Sequence, residues 1–330
     1  MLDVTVLFLE GSHASTSIGP LEVFDSAGSL FPMFTDGKGT PLFRVRTASI
    51  GGRPVRAAGG YAIQPDAAVD DVGPTDLVFV PSGGADLEAL LARNGPVEAF
   101  LRDAFAGGAR IAGVCSGVSL LAAAGLLDGR PATTHWGLVD QCRERFPRVD
   151  WRPEEIITES EGIYCGAGVY ASLDLALYLV EELGDHRTAV ECSKALLIDM
   201  PRECQAGFAV LPMGARHGDD AIKQAEAWIL DHCREDFSFE WLARELGMSP
   251  RNFMRRFKSA TGATPLEYIQ RLRVRAAKRL LETDHMTVQE VSGAVGYEDV
   301  AFFRTIFKRH TGLTPSVYRR RFGSAPPRAT

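Results

Sequence analysis

The sequence predicts an α/β layer fold, a mostly parallel sheet with helices on both faces, joined to a smaller all-α domain. Three observations predict it. Apolar strand-like runs alternate with helical patterns up to about residue 200, no strand pattern occurs after Asp219, and the sign of the charge reverses between the two parts. At 330 residues the chain is long enough for two cores. Its 45% hydrophobic and 24% charged residues, with no low-complexity tract, exclude a largely disordered chain.

In the first part, Val4 to Leu9, Phe43 to Ala48, Leu77 to Val80 and Arg110 to Val114 are short apolar runs of strand length. Gly19 to Leu30, Val97 to Phe105, Gly117 to Ala124 and Ser172 to Glu182 carry helical periodicity. Residues 201–218 lose periodicity and collect Pro and Gly, so a linker is expected there. The expected domains are therefore 1–200 and 219–323, with a tail at 324–330.

After Asp219 the chain repeats itself at an offset of 50 residues. Phe253, Phe257, Lys258, Thr261, Gly262, Thr264, Pro265 and Tyr268 match Phe303, Phe307, Lys308, Thr311, Gly312, Thr314, Pro315 and Tyr318. Eight identities at one offset imply a structural unit used twice. Each copy reads as a short helix, a Gly turn and a second helix: Phe239 to Leu246, Gly247, Ser249 to Ser259, and Val288 to Val295, Gly296, Asp299 to His310. Ser249 and Asp299 stand where they can cap the second helices, which is the helix-turn-helix pattern.

Charge points to the partner of that repeat. Residues 1–215 hold 16 Lys+Arg against 28 Asp+Glu, whereas 216–330 hold 20 against 14, so the net charge passes from −12 to +6. A basic end beside an acidic domain suits a polyanion. In the second helices the phenylalanines at i and i+4 must face inward. This leaves Arg251, Met254 and Arg255 in copy one, and Val300, Ala301, Arg304 and Thr305 in copy two, to meet base edges. Arg256, Lys258, Lys308, Arg309 and Arg319 to Arg321 suit phosphates.

Trp228, Arg244 to Ser249, Phe253 to Phe257, Pro265 to Tyr268, Arg273, Leu280-Leu281, Val295 to Tyr297 and Thr314 to Arg319 together resemble the AraC/XylS DNA-binding domain over roughly 100 residues. The resemblance implies two helix-turn-helix units joined by a long helix, here about Leu266 to Leu281. It also implies reading helices in successive major grooves, about 34 Å apart. Copy two departs from the family with Ser292 where a small Ala is usual and Phe302 where a polar residue often faces DNA.

In the first part the chemical signal is Ile111-Ala112-Gly113-Val114-Cys115-Ser116-Gly117, an apolar strand running through a cysteine into a helix. A thiol at such an elbow is expected to be exposed at the carboxyl edge of the sheet, near helix amides that can lower its pKa. The six cysteines Cys115, Cys142, Cys165, Cys192, Cys204 and Cys233 include no C-x-x-C pair and no zinc spacing, so no metal, cofactor or redox dithiol is expected. They read as reduced thiols of a cytoplasmic protein. The start of the chain lacks a basic leader pattern, and no apolar run approaches the ~20 residues that span a bilayer, so no membrane association is expected.

With Pro81-Ser82-Gly83-Gly84, Gly19 to Phe24 and Ala123 to Trp136, residues 1 to about 190 resemble the PfpI-like branch of the class I glutamine-amidotransferase superfamily, with its flavodoxin-like sheet. The two resemblances in this order are those of GlxA-type AraC regulators. In the catalytic relatives an acid on the helix after the first strand contacts the cysteine, and a His follows the nucleophile. Here those positions hold Thr16 and Ser116, which disfavours catalysis, although Glu22 or His135 could partly substitute.

A binding pocket needs less. Gly83, Gly84, Cys115 and Ser116 can hold a polar ligand group, with His135 and Trp136 closing over it. The expected function is a sequence-specific transcription regulator, an activator controlled by a small-molecule effector. The resemblance implies a nitrogen-containing metabolite as effector, a homodimer, and double-stranded DNA and RNA polymerase as partners. The alternatives are a cysteine-dependent hydrolase or hydratase fused to a DNA-binding module, and a Cys115 redox sensor.

Overall fold

The computed structural model describes residues 1–35, 37–199, 205, 217–235, 237–283 and 285–323. It divides into two compact units, Met1–Gln205 and Ala206–Thr330. Of the expected linker, Gln205, His217 and Gly218 are described, and the rest lies outside the described residues, as does Cys204.

In chain order the first unit contains β1 (Leu2–Leu7), α1 (Ser15–Ser26), α2 (Leu30–Thr35), β2 (Phe43–Ser49), β3 (Val55–Arg56), β4 (Ala62–Ile63), β5 (Ala67–Ala68), β6 (Leu77–Val80), α3 (Leu87–Arg93) and α4 (Gly95–Ala106). It continues with β7 (Arg110–Val114), α5 (Val118–Ala123), β8 (Pro131–Ala132), α6 (Val139–Arg145), β9 (Asp150–Trp151), β10 (Ile157–Ser160), β11 (Ile163–Gly166), α7 (Ala171–Leu183) and α8 (His186–Leu196). Among the described residues, seven strands form one sheet in the order β10-β11-β7-β6-β1-β2-β5. Every neighbouring pair is parallel except β10 with β11.

The apolar runs of the sequence become the centre of this sheet. All four residues of β6 and of β11 are buried, and since successive side chains point to opposite faces, both faces are covered. Helices α1, α7 and α8 pack together, and α4 and α5 pack on β7. Helix α1 begins at Ser15 rather than at Gly19, because the Thr16 and Ser17 hydroxyls bond back to the carbonyls of His13 and Ala14 and close a turn ahead of Pro20. The β10–β11 hairpin was not expected from the sequence. It turns on Glu161 and Gly162, both at positive φ (49° and 80°), as a two-residue hairpin requires.

The second unit is helical: α9 (Asp220–His232), α10 (Phe239–Glu245), α11 (Pro250–Thr261), α12 (Pro265–Thr283), α13 (Val288–Ala294), α14 (Val300–Thr311) and α15 (Pro315–Phe322). The sequence repeat is a structural repeat. Phe257 meets Tyr268 edge-on at 5.3 Å and 82°, and Phe307 meets Tyr318 at 5.4 Å and 82°. Each phenylalanine pair centres its own small core, and α12 contributes Tyr268, Ile269 and Leu272 to the first and Val274, Ala277 and Leu281 to the second. Ser249 and Asp299 cap α11 and α14 as their positions suggested, accepting from Asn252 N and from Ala301 and Phe302 N.

Candidate effector site and nucleic-acid interface

At the carboxyl end of β7 the backbone turns sharply at Cys115, whose φ of 56° is left-handed and uncommon for a residue with a Cβ. The turn is possible because Gly117 lies hard against the end of β6. A Cβ there would sit 2.9 Å from Val80 O and closer still to Pro81 O. The loop after β6 is fastened to the elbow by Gly83 N, which donates to Ser116 Oγ at 3.0 Å. Gly84, at φ 98°, lets the same loop run past Gly11.

The elbow geometry is therefore as expected, but the thiol is not activated. Cys115 is buried, and burial pushes its thiol up to about 11, against smaller downward pulls from its bonds with Ser116. The Ser116 amide does pull it down, but burial outweighs that pull, so the expectation of an exposed thiol with a lowered pKa is overturned. The turn 115–117 and the six residues of α5 supply a weak dipole, which the loss of solvent outweighs. Thr16 does not substitute for an acid either. Its hydroxyl donates to His13 O at 2.7 Å, accepts from Ser82 N and lies 3.2 Å from Ser82 Oγ. In the adjoining loop Ser12 is fully buried, and its Oγ has no partner among the described residues.

Residues 133–136 lie against the elbow. Thr134 Oγ1 donates to the carbonyl of Cys115 at 2.8 Å, which places this segment on the elbow itself. His135 Nδ1 accepts from Gly137 N at 3.0 Å, so the neutral ring carries its proton on Nε2, and partial burial holds its pKa below the ordinary value. Trp136 lies beside it, ring centroids 5.1 Å apart. Both rings are half-buried.

Sequence reasoning missed Gln205. Its side chain is buried, and its amide nitrogen lies 2.9 Å from Thr134 O, 3.2 Å from Thr133 Oγ1 and 3.2 Å from Glu155 O. A bond chain thus runs from the Cys115 carbonyl through Thr134 to a residue within the expected linker. A polar residue in a stretch without periodicity gave no signal of burial.

In the second unit Arg251, Met254, Arg255 and Lys258 are exposed on α11, and Ala301, Arg304, Thr305 and Lys308 on α14, with Val300 half-buried. Arg255 donates to Asn252 Oδ1 at 2.9 Å on the same face. Lys308, Arg309, Arg320 and Arg321 are exposed as phosphate contacts require. Arg256 and Arg319 are not placed that way. Arg256 grips Asp219 with both Nε (2.9 Å) and Nη2 (2.6 Å), and Arg319 buries Nε and Nη2. Asp219 also caps α9, and its own N–H donates to His217 Nδ1, whose Nε2 faces Glu226 at 2.9 Å. Arg256 therefore fastens the start of this unit to the first reading helix.

Residues 4–182 match the DJ-1/PfpI family, and residues 242–321 match a helix-turn-helix domain. The HTH-type transcriptional regulator CdhR of Pseudomonas aeruginosa is 29% identical, over 88% of this chain and 85% of its own. The HTH-type transcriptional regulator GlxA of Rhizobium meliloti is 30% identical, over 87% of this chain and 88% of its own. Among solved structures, a THiJ/PfpI family protein from Pseudomonas syringae is similar with a TM-score of 0.50 and 28% identity, over 74% of this chain and 90% of that one.

Proposed function

This chain belongs to the DJ-1/PfpI family, and from that premise we propose that its first unit holds a small-molecule effector whose binding controls how the second unit engages DNA. That the chain is a DNA-binding transcription regulator follows from its two matched domains and from relatives named as HTH-type transcriptional regulators. Its first unit serves a regulator rather than an enzyme, and the protonated Cys115 agrees with that role.

The observation that carries the effector reading is the bond path from the Cys115 elbow through Thr134 to Gln205. A ligand group at Gly83, Gly84, His135 and Trp136, over the buried Cys115 and Ser116, bears on the segment that Gln205 fastens. Control then needs only that the effector favour one arrangement of that segment over another. The effector class we propose is a small nitrogen-containing metabolite. The working form is a homodimer inside the cell that activates transcription by bringing RNA polymerase to the promoter. Among the described residues no helix is long and apolar enough to cross a membrane.

Binding-site selection from a random duplex pool, with the full chain in the presence and absence of a metabolite library, tests this reading. The expected result is one motif spanning two adjacent major-groove turns, bound differently when one metabolite is present. A motif that no metabolite modulates refutes effector control. No motif at all refutes the regulator. A redox switch at Cys115 predicts that peroxide alters DNA binding in wild type and not in Cys115→Ser; a protonated, buried thiol predicts no peroxide effect in either.

A further inference from the structure

The two reading helices differ in chemistry at the turn that enters the groove. In the first turn of α11 Arg251 is exposed and Asn252 half-buried, and Asn252 holds Arg255. At the same repeat positions α14 carries Ala301 and Phe302. Phe302 is a phenylalanine left 50% exposed, on a helix whose other exposed side chains include Arg304, Lys308 and Arg309. Its exposed half is apolar surface on the same helix as the exposed Ala301, Arg304 and Thr305.

The ring is also supported. Tyr297 meets it edge-on at 5.9 Å and 65°, and Tyr297 is itself buried, with the guanidinium of Arg273 5.0 Å above its ring. Arg273 is fixed in turn by bonds to the carbonyls of Cys233 and Gly296. At the root of the ring, Asp299 accepts from the N–H groups of Ala301 and Phe302 at 2.7 and 3.2 Å, so the backbone that carries it is capped. Phe302 is thus a pre-oriented apolar surface in the first turn of a reading helix. In the major groove the apolar feature of base edges is the 5-methyl group of thymine. The cations beside the ring suit a phosphate-lined groove and not an apolar protein surface.

We propose that Phe302, with Ala301 beside it, makes α14 a reader of thymine methyl groups, so that the two halves of the binding site are recognised by different chemistry. The first half is recognised by arginine hydrogen bonds from α11. The second is recognised by apolar contact, and Phe302 is its specificity-determining residue. The inference rests on the double helix-turn-helix reading given above.

The test uses the full chain and the site it selects from a random duplex pool. Each thymidine of that site is replaced singly by deoxyuridine, which removes the 5-methyl group and leaves every Watson–Crick and groove hydrogen bond in place. Binding is measured by fluorescence anisotropy for wild type, Phe302→Leu and Phe302→Asn, the last placing the copy-one residue in copy two. At one or two adjacent thymidines in one half of the site, deoxyuridine is expected to weaken wild-type binding roughly fourfold, the loss of one buried methyl. In Phe302→Asn the same replacements should have no effect. Phe302→Leu should keep part of the sensitivity. Both variants should remain folded with a modestly lowered unfolding temperature, because half of the ring is buried against Tyr297, and binding is compared well below that temperature.

A site in which no deoxyuridine position depends on residue 302 overturns the proposal while leaving the regulator reading intact. So does a Phe302→Asn variant that loses dimerisation but keeps the wild-type deoxyuridine pattern, which would assign the ring to a protein partner. A chain that selects no site overturns both readings together.

Discussion

Replacing Gln205 by leucine removes a buried amide and keeps a side chain of similar length. In the native structure that amide serves Thr134 O at 2.9 Å, with Thr133 Oγ1 and Glu155 O each at 3.2 Å. Glu155 O keeps a second donor, the Thr133 hydroxyl at 2.8 Å. The substitution therefore orphans one buried acceptor, the carbonyl of Thr134. An unsatisfied buried carbonyl costs roughly 1–3 kcal/mol, and the apolar surface that leucine adds offsets part of it, so the first unit should lose about 1–2 kcal/mol. Urea unfolding of the full chain, with amide exchange at residues 133–135 as the local probe, reads both the loss and its location. In the selected-site assay the same variant should bind DNA with a weakened effector response. A stability change below about 0.5 kcal/mol, with unaltered exchange at Thr134, would refute the buried bond path.

Gly117→Ala should destabilise the first unit by about 3 kcal/mol, since its Cβ meets the fixed carbonyls of Pro81 and Val80 and not a mobile side chain; two-probe denaturation should show the second unit unaffected. Stability should fall above pH 9. Burial raises Cys115 and Cys192 to about 11 and Cys165 to about 12, so the unfolded chain releases protons first, and the stability present below the ordinary thiol value is lost as pH rises through those values. Iodoacetamide should accordingly modify Cys115 slowly at pH 8, and a fast reaction would contradict the neutral thiol. On DNA, Arg255→Ala should cost about 1–3 kcal/mol in a base-selective way, and Lys258→Ala should weaken all sequences alike with a shallower salt dependence. Arg256→Ala should leave the salt slope unchanged, because that guanidinium is held by Asp219; a reduced slope would return it to the phosphates.

Much of this molecule is local enough to read from the chain. The strands Leu77–Val80 and Arg110–Val114 follow from continuous apolar runs, because a strand buried on both faces has no polar side to show. The two helix-turn-helix units follow from a repeat whose aromatic positions are spaced for one helix face, and from Ser249 and Asp299, whose capping acts within three residues. The elbow at Cys115 is equally local, since a strand, a turn and a helix meet within a few residues. The hairpin Ile157–Gly166 has only the Glu161-Gly162 pair as a local signal, because its strands are four residues each and too short to show a clear alternation.

What tertiary structure alone decided lies at contacts between distant parts of the chain. The protonation state of Cys115 depends on how completely β6, the loop after it and residues 133–136 exclude water, and local dipoles cannot predict that exclusion. Thr16 looked like a missing acid, and only the fold shows its hydroxyl fastening Ser82, 66 residues away. Arg256 stood in a basic stretch of sequence, yet a carboxylate 37 positions earlier claims it. Gln205 carried no pattern, because its partners lie 50 to 72 residues back. Secondary structure is set by the periodicity of neighbours along the chain, whereas the ionisation and availability of a functional group are set by whichever distant residues the fold brings against it. The sequence therefore determined what kind of protein this is, and the packing determined which of its side chains are free to act.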